Sequence, residues 1–192
     1  MKKMAIYCGA YSGQPVYEQA ARDLGAWLVA NQFELVYGGG GVGLMRTLAE
    51  SVLAAGGVVH GVMPANLYAR GAGLAGLKDL EVVPDMAARK KRMLALADAC
   101  VALPGGAGTL EEISEAFSWA RVGDNASPCA FYNVNHYYDG LAAFYDHMVA
   151  EGFLTAADRS KLLFTADLTE LGHFIDSYTP PRLRTYPKQG RA

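Results

Sequence analysis

Two stretches of this chain hold residues whose types and spacing could do chemistry. The first is Pro104-Gly105-Gly106-Ala107-Gly108-Thr109-Leu110-Glu111-Glu112. Adjacent glycines let the main chain come close to an anion. A helix starting near Thr109 would turn its free N–H groups and positive dipole end toward that anion. A phosphate bound there would also gain from the Thr109 hydroxyl. On this helix, at about 100° per residue, Leu110, Ile113, Ala116, Phe117, Trp119 and Ala120 form one apolar face. Glu111 and Glu115 fall outside it, as solvated acids should. Glu112 falls in the row of Ala116 and Trp119. It is either the second half of a capping box with Thr109 as N-cap, or a partly desolvated carboxylate able to serve bond cleavage beside a glycine loop.

The second stretch is Asp85-Met86-Ala87-Ala88-Arg89-Lys90-Lys91-Arg92. Asp85 is a good N-cap, and Met86, Met93, Leu94, Leu96 and Ala97 mark a buried stripe. Lys91 and Arg92 project away from it. Arg89 and Lys90 fall on the stripe, where a charge must snorkel, pair or meet a ligand. Arg89 could form a structural ion pair with Glu112. Alternatively, its planar fork could face a phosphate, ribose or base.

Two further glycine clusters, Cys8-Gly9 and Gly38 to Gly43, also follow expected strands. Gly38, Gly40 and Gly43 match G-x-G-x-x-G, but after the second strand rather than the first. The next strand ends in Gly61-Val62-Met63-Pro64, with no acid to hold a ribose, so a dinucleotide site is disfavoured. No Gly-Lys-Ser/Thr follows any glycine run, which disfavours a Walker loop. Purely structural glycines are the competing reading. His60, His136, His147 and His173 lack metal-ligand spacing, so no metal site is expected.

The elements that must position these residues alternate. Strands are expected at Met4–Cys8, Glu34–Tyr37, Val58–Met63, Leu80–Val83, Ala99–Leu103, Cys129–Asn133 and Leu162–Phe164. Helices are expected near Pro15–Asn31, Val42–Ala55, Asp85–Asp98, Thr109–Val122, Tyr137–Glu151 and Asp167–Tyr178. This implies an α/β, Rossmann-like, doubly wound, mostly parallel sheet with helices on both faces. One domain is expected over residues 1–178, with a flexible tail over 179–192. The 192 residues are 52% apolar and 19% charged, with net charge −2. No basic field attracts nucleic acid, and no run is long enough to span a bilayer. Cys8, Cys100 and Cys129 read as buried, reduced thiols, and the protein is expected to be cytoplasmic. The high apolar fraction points to surface buried in a homodimer.

Met86-Ala-Ala-Arg89-Lys90 and Pro104-Gly-Gly-Ala-Gly-Thr109-Leu-Glu-Glu112 together resemble the cytokinin-activating LONELY GUY (LOG) phosphoribohydrolases, long labelled lysine decarboxylases. The resemblance runs from Met4 to about Phe174, through Tyr37-Gly-Gly-Gly-Gly-Val-Gly-Leu-Met45 and Asp146-His-Met-Val-Ala-Glu-Gly-Phe153. It implies hydrolysis of the N-glycosidic bond of a nucleoside 5′-monophosphate, AMP or an N6-modified AMP, to free base and ribose 5-phosphate. It also implies a homodimer and no cofactor. By this resemblance Arg89 and Glu112 are catalytic. Gly9, Gly39, Gly40, Gly43, Met86, Lys90, Gly105, Gly106, Ala107, Gly108, Thr109, Leu110, Glu111 and Ser118 would hold the nucleotide. The sequence departs from the family at Ala10, Arg46 and Gly71, where a Ser, a small residue and a Glu are usual. Two rivals are a non-catalytic nucleotide or cofactor carrier, which would not need Glu112, and a pyridoxal-phosphate decarboxylase, for which Lys90 is a poor Schiff-base lysine.

Overall fold

Side chains along β1 (Lys2–Tyr7) alternate between two cores: Met4 and Ile6 enter one, Ala5 and Tyr7 the other. A strand buried on both faces belongs at the centre of a covered parallel sheet. The computed structural model, which describes residues 1–183, places it there. The other strands are β2 (Phe33–Tyr37), β3 (Val59–Pro64), β4 (Leu80–Val83), β5 (Ala99–Ala102), β6 (Cys129–Tyr132) and β7 (Leu162–Thr165). They form one seven-stranded sheet in the order β4-β3-β2-β1-β5-β6-β7. All pairings are parallel, Met4 lying opposite Leu35 on one side and Ala99 on the other.

The helices are α1 (Pro15–Ala30), α2 (Gly43–Ala54), α3 (Ala65–Tyr68), α4 (Met86–Leu96), α5 (Ala107–Ala120), α6 (Asp139–Ala150), α7 (Ala156–Arg159) and α8 (Leu168–Ser177). Leu24 and Leu28 of α1, Leu48 of α2 and Leu171 of α8 close the core on one face of the sheet. Met93 of α4, Ile113 and Phe117 of α5 and Tyr145 of α6 close it on the other. The expected strands and long helices are all present. The short α3 and α7 and a 3-10 turn at Val134–His136 are additions. Such single turns carry too little periodicity to stand out in a sequence.

Three local expectations need correction. α5 starts at Ala107, not Thr109, with Gly106 in extended conformation as its N-cap. Thr109 is therefore a buried residue of the first turn, and the Thr109–Glu112 capping box does not form. Leu110, expected on the apolar face, is exposed, and of the expected α4 stripe only Met93 is fully buried. Asp85 does cap α4, accepting a hydrogen bond from the Ala88 N–H at 2.8 Å.

The three cysteines are free and buried. Among the described residues no helix is long and apolar enough to cross a membrane. The expected loose tail falls partly on residues 179–183, which lie along the body: Pro181 is buried, and Thr179 accepts a hydrogen bond from Lys161. Its remainder, 184–192, lies outside the described residues.

The chain winds outward from β1 in one direction and from β5 in the other, so the order reverses between them. In open parallel sheets that switch point opens a crevice at the carboxyl ends of the strands. Here the crevice lies between Gly9, after β1, and Pro104, after β5. The Gly9 N–H donates to the Pro104 carbonyl at 3.1 Å and holds the two loops together.

Candidate active site

A cavity of about 650 Å³ occupies this switch point. Its lining includes Gly9, Met86, Arg89 and Glu112, and the glycine loop contributes Gly105, Gly106, Gly108 and Thr109. Because Gly106 offers no side-chain cap, the first-turn N–H groups of α5 stay available at the cavity wall. Gly105 is required by packing. A Cβ there would fall 2.1 Å from the Thr109 hydroxyl and 2.9 Å from the Gly9 nitrogen.

Arg89 comes from α4 and Glu112 from α5. Nη2 of Arg89 lies 3.0 Å from Oε1 of Glu112, and only 11% and 10% of the two side chains are exposed. Nη1 contacts the Met86 sulfur at 3.4 Å. Nε is buried and makes no hydrogen bond among the described residues. Burial pushes the Glu112 carboxyl above the usual carboxylate range, and the Arg89 guanidinium offsets only part of that rise. Both readings of Arg89 therefore meet in one place: it is ion-paired, and the pair lines the cavity.

Lys90 lies differently. Its ammonium sits between Glu111 and Glu115, 2.7 Å from the latter, and these hydrogen bonds raise its pKa. Lys90 does not line the cavity, and Glu111 and Glu115 are not simply solvated acids. A second ion-paired layer thus joins α4 to α5 beside Arg89 and Glu112.

The other expected residues divide in the same way. Gly39 packs under Leu80 and Gly40 under Met45. Hydrogen bonds from Gly41 and Leu74 strap their loop to the segment 72–74. Gly43, at φ +54°, abuts the backbone of Ala10, where a Cβ would fall 2.4 Å away. These three glycines shape the crevice from behind rather than line it. Ala107, Leu110 and Ser118 lie exposed on α5 outside the cavity. Of the family departures, Ala10 lines the cavity, Arg46 pairs with Glu50 on the surface of α2, and Gly71 forms a left-handed turn after α3.

Several lining residues had not been expected. Tyr11, Ser12 and Gly13 follow β1, Tyr17 opens α1, and Tyr137 follows β6. All but Tyr17 lie in loops at carboxyl ends of strands, and that placement was the available signal. Gly38 was noted only as part of a glycine pattern, yet it is the surface on which Arg89 rests. Cys8 also lines the cavity. Burial, and secondarily the nearby Glu112 charge, push its thiol up, so it stays protonated.

Residues 45–173 match a family model described as possible lysine decarboxylase. A probable cytokinin riboside 5′-monophosphate phosphoribohydrolase of Oryza sativa subsp. japonica is 41% identical over 180 residues, 93% of this chain and 79% of that protein. A cytokinin riboside 5′-monophosphate phosphoribohydrolase of Rhodococcoides fascians is 42% identical over 169 residues, 87% and 85% of the two chains. Among solved structures, a molybdenum cofactor binding protein from Rippkaea orientalis superposes with a TM-score of 0.70 at 18% identity, covering 92% and 96% of the chains. That likeness is one of fold alone. The identities to the two phosphoribohydrolases extend over most of the sequence, and the chain belongs to the LONELY GUY family of cytokinin riboside 5′-monophosphate phosphoribohydrolases.

Proposed function

We propose that this protein hydrolyses the N-glycosidic bond of a nucleoside 5′-monophosphate, AMP or an N6-modified AMP, releasing free base and ribose 5-phosphate. The observation that carries this reading is the buried Arg89–Glu112 pair, set in one cavity with the uncapped N-terminus of α5. Phosphate on the Gly105–Thr109 backbone would anchor the nucleotide, and that remote binding energy would orient the sugar. Cleavage develops positive charge on the sugar and negative charge on the departing base. The Glu112 carboxylate can stabilise that cation, orient a ribose hydroxyl or take a proton from the attacking water. The first and last of these tasks require its ionised form. The water oxygen joins the anomeric carbon, and the base leaves with the bonding pair and takes up a proton. Arg89 holds Glu112 in place and lines the same cavity, where its guanidinium can meet the nucleotide.

The test is a panel of nucleoside 5′-monophosphates, nucleosides and triphosphates, scored for free base and ribose 5-phosphate. Monophosphates should be cleaved and the other two spared. Equal rates on nucleoside and monophosphate would remove the phosphate-anchor argument. Tight binding of AMP without release of base would favour a carrier. The protein is further proposed to act in the cytoplasm as a homodimer.

A further inference from the structure

The tyrosine pair after β6 reaches back to the glycine loop. Tyr138 is buried, and its hydroxyl donates to the Leu103 carbonyl at 2.7 Å. Tyr137 is 44% exposed and could leave its hydroxyl in water, yet it donates to the Gly105 carbonyl at 2.6 Å. The turn that delivers it is held in an unusual shape. Asn135 and His136 both take left-handed backbone, with φ 53° and 59°, which non-glycine residues adopt when their surroundings enforce it. Here Asn133 accepts from the Tyr138 N–H at 2.6 Å and donates to Asp139 at 2.7 Å, and His136 reaches the same Asp139 at 3.1 Å. The Tyr137 ring is fixed by edge contacts with Tyr17 and Tyr138, at centroid distances of 5.6 and 4.8 Å.

The peptide that Tyr137 holds joins two glycines, Gly105 and Gly106, so no Cβ biases its orientation. In a planar trans peptide the carbonyl and the following N–H point in opposite directions. Fixing the Gly105 carbonyl toward Tyr137 therefore fixes the Gly106 N–H away from it. If the peptide turned over, an oxygen would replace a donor in the loop. An anion bound there would then be repelled rather than held.

We propose that Tyr137 is a positioning residue for phosphate recognition: its hydroxyl locks the Gly105–Gly106 peptide in the donor-presenting orientation. This rests on the reading of the Gly105–Thr109 loop as the phosphate site.

The experiment is Tyr137→Phe, titrated with ribose 5-phosphate and with adenosine. Neither ligand carries both the scissile bond and the phosphate. The ring contacts with Tyr17 and Tyr138 survive in this variant, so its melting temperature should match the wild type. Affinity for ribose 5-phosphate should fall about 10-fold, the scale of one hydrogen bond, while adenosine affinity stays unchanged. In turnover with AMP, KM should rise by a similar factor and kcat should fall by less than KM rises, since only part of the phosphate binding energy orients the sugar. Unchanged ribose 5-phosphate affinity, or an equal loss for adenosine, would overturn the proposal. A wild-type protein that binds ribose 5-phosphate no better than ribose overturns the phosphate-loop reading itself. A wild type that does discriminate, with a variant that discriminates equally well, overturns only the role of Tyr137.

Discussion

Gly38 lies directly under the Arg89 guanidinium: a Cβ at position 38 would fall 2.1 Å from Nη2 and 2.9 Å from Cζ. The last residue before Gly38 belongs to β2, so a strand end serves as the floor for a side chain from α4. The first prediction follows from that floor. In Gly38→Ala the guanidinium must shift, breaking a 3.0 Å contact with Glu112 and leaving a buried charge poorly paired. Stability should drop by about 1–3 kcal/mol, and hydrolysis should fall at least about 10-fold. Gly140→Ala, with nothing within 4 Å of its Cβ position, is the control and should be near neutral. Wild-type turnover in Gly38→Ala would show that the position of Arg89 does not matter.

Arg89 and Glu112 were legible in the sequence because a charge on an apolar helical row is costly unless something compensates it. The same argument left Lys90 to snorkel, pair or meet a ligand, and only the family resemblance placed it at the nucleotide; the structure pairs it with Glu111 and Glu115. The periodicity of one helix shows which side of it is unusual but not what the neighbouring helix brings opposite. α5 turns its seemingly solvated acids toward α4, and only the packing of the two helices reveals this. The start of α5 differs from the expected one because Thr109 is a good cap residue by type, whereas two glycines before Ala107 let the helix begin earlier with no side-chain cap. Tyr11 carries no helical or strand signal, and Tyr137, expected to open a helix, instead sits in the turn before α6 at Asp139. The reach of both into the cavity depends on where the sheet sets their loops. The layered sheet was legible throughout, since its strands are continuous apolar runs separated by amphipathic helices.

Lys90→Met tests the second ionic layer. Without the ammonium, Glu111 and Glu115 face each other across one helical turn as like charges, which destabilises by a few tenths of a kcal/mol. Losing two hydrogen bonds brings the total to about 1 kcal/mol. The positive charge of Lys90 also lowers the Glu112 pKa, so removing it should move the acid limb of the pH–rate profile to higher pH. A direct ligand contact would instead raise KM and leave that limb where it was.

The homodimer is checked by light scattering at micromolar concentration. Leu110 and Val122, 39% and 53% exposed, lie on and just after α5, and Met86 is 42% exposed at the start of α4. The helices flanking the glycine loops are therefore the expected interface. Leu110→Asp should shift the mass toward a monomer if α5 is buried between subunits, and a monomeric wild type would contradict the expectation outright.

Glu112→Gln separates chemistry from packing most sharply. The carboxylate must be ionised to stabilise a sugar cation or accept a proton, and burial raises its pKa. Activity in the wild type should therefore fall as pH drops through that raised value, with the acid limb above the ordinary carboxylate range. Stability responds in the opposite sense. The folded state binds the Glu112 proton more tightly than the unfolded chain, so the cost of the buried charge sets in as pH rises from the unfolded to the folded pKa, and it stays constant above. Gln removes that cost, but it also removes the charge opposite Arg89 while keeping an acceptor oxygen. The two effects oppose, and the melting temperature should move by only a few degrees, roughly the shift that 1 kcal/mol produces in a chain of this size. Turnover should fall by about 10²-fold or more, and the acid limb should disappear. Arg89→Lys should also impair turnover, because a point charge cannot hold Glu112 and a nucleotide oxygen in one planar fork. A Glu112→Gln protein that melts much lower yet turns over at the wild-type rate would make the pair a structural tie between α4 and α5 and move the chemistry elsewhere.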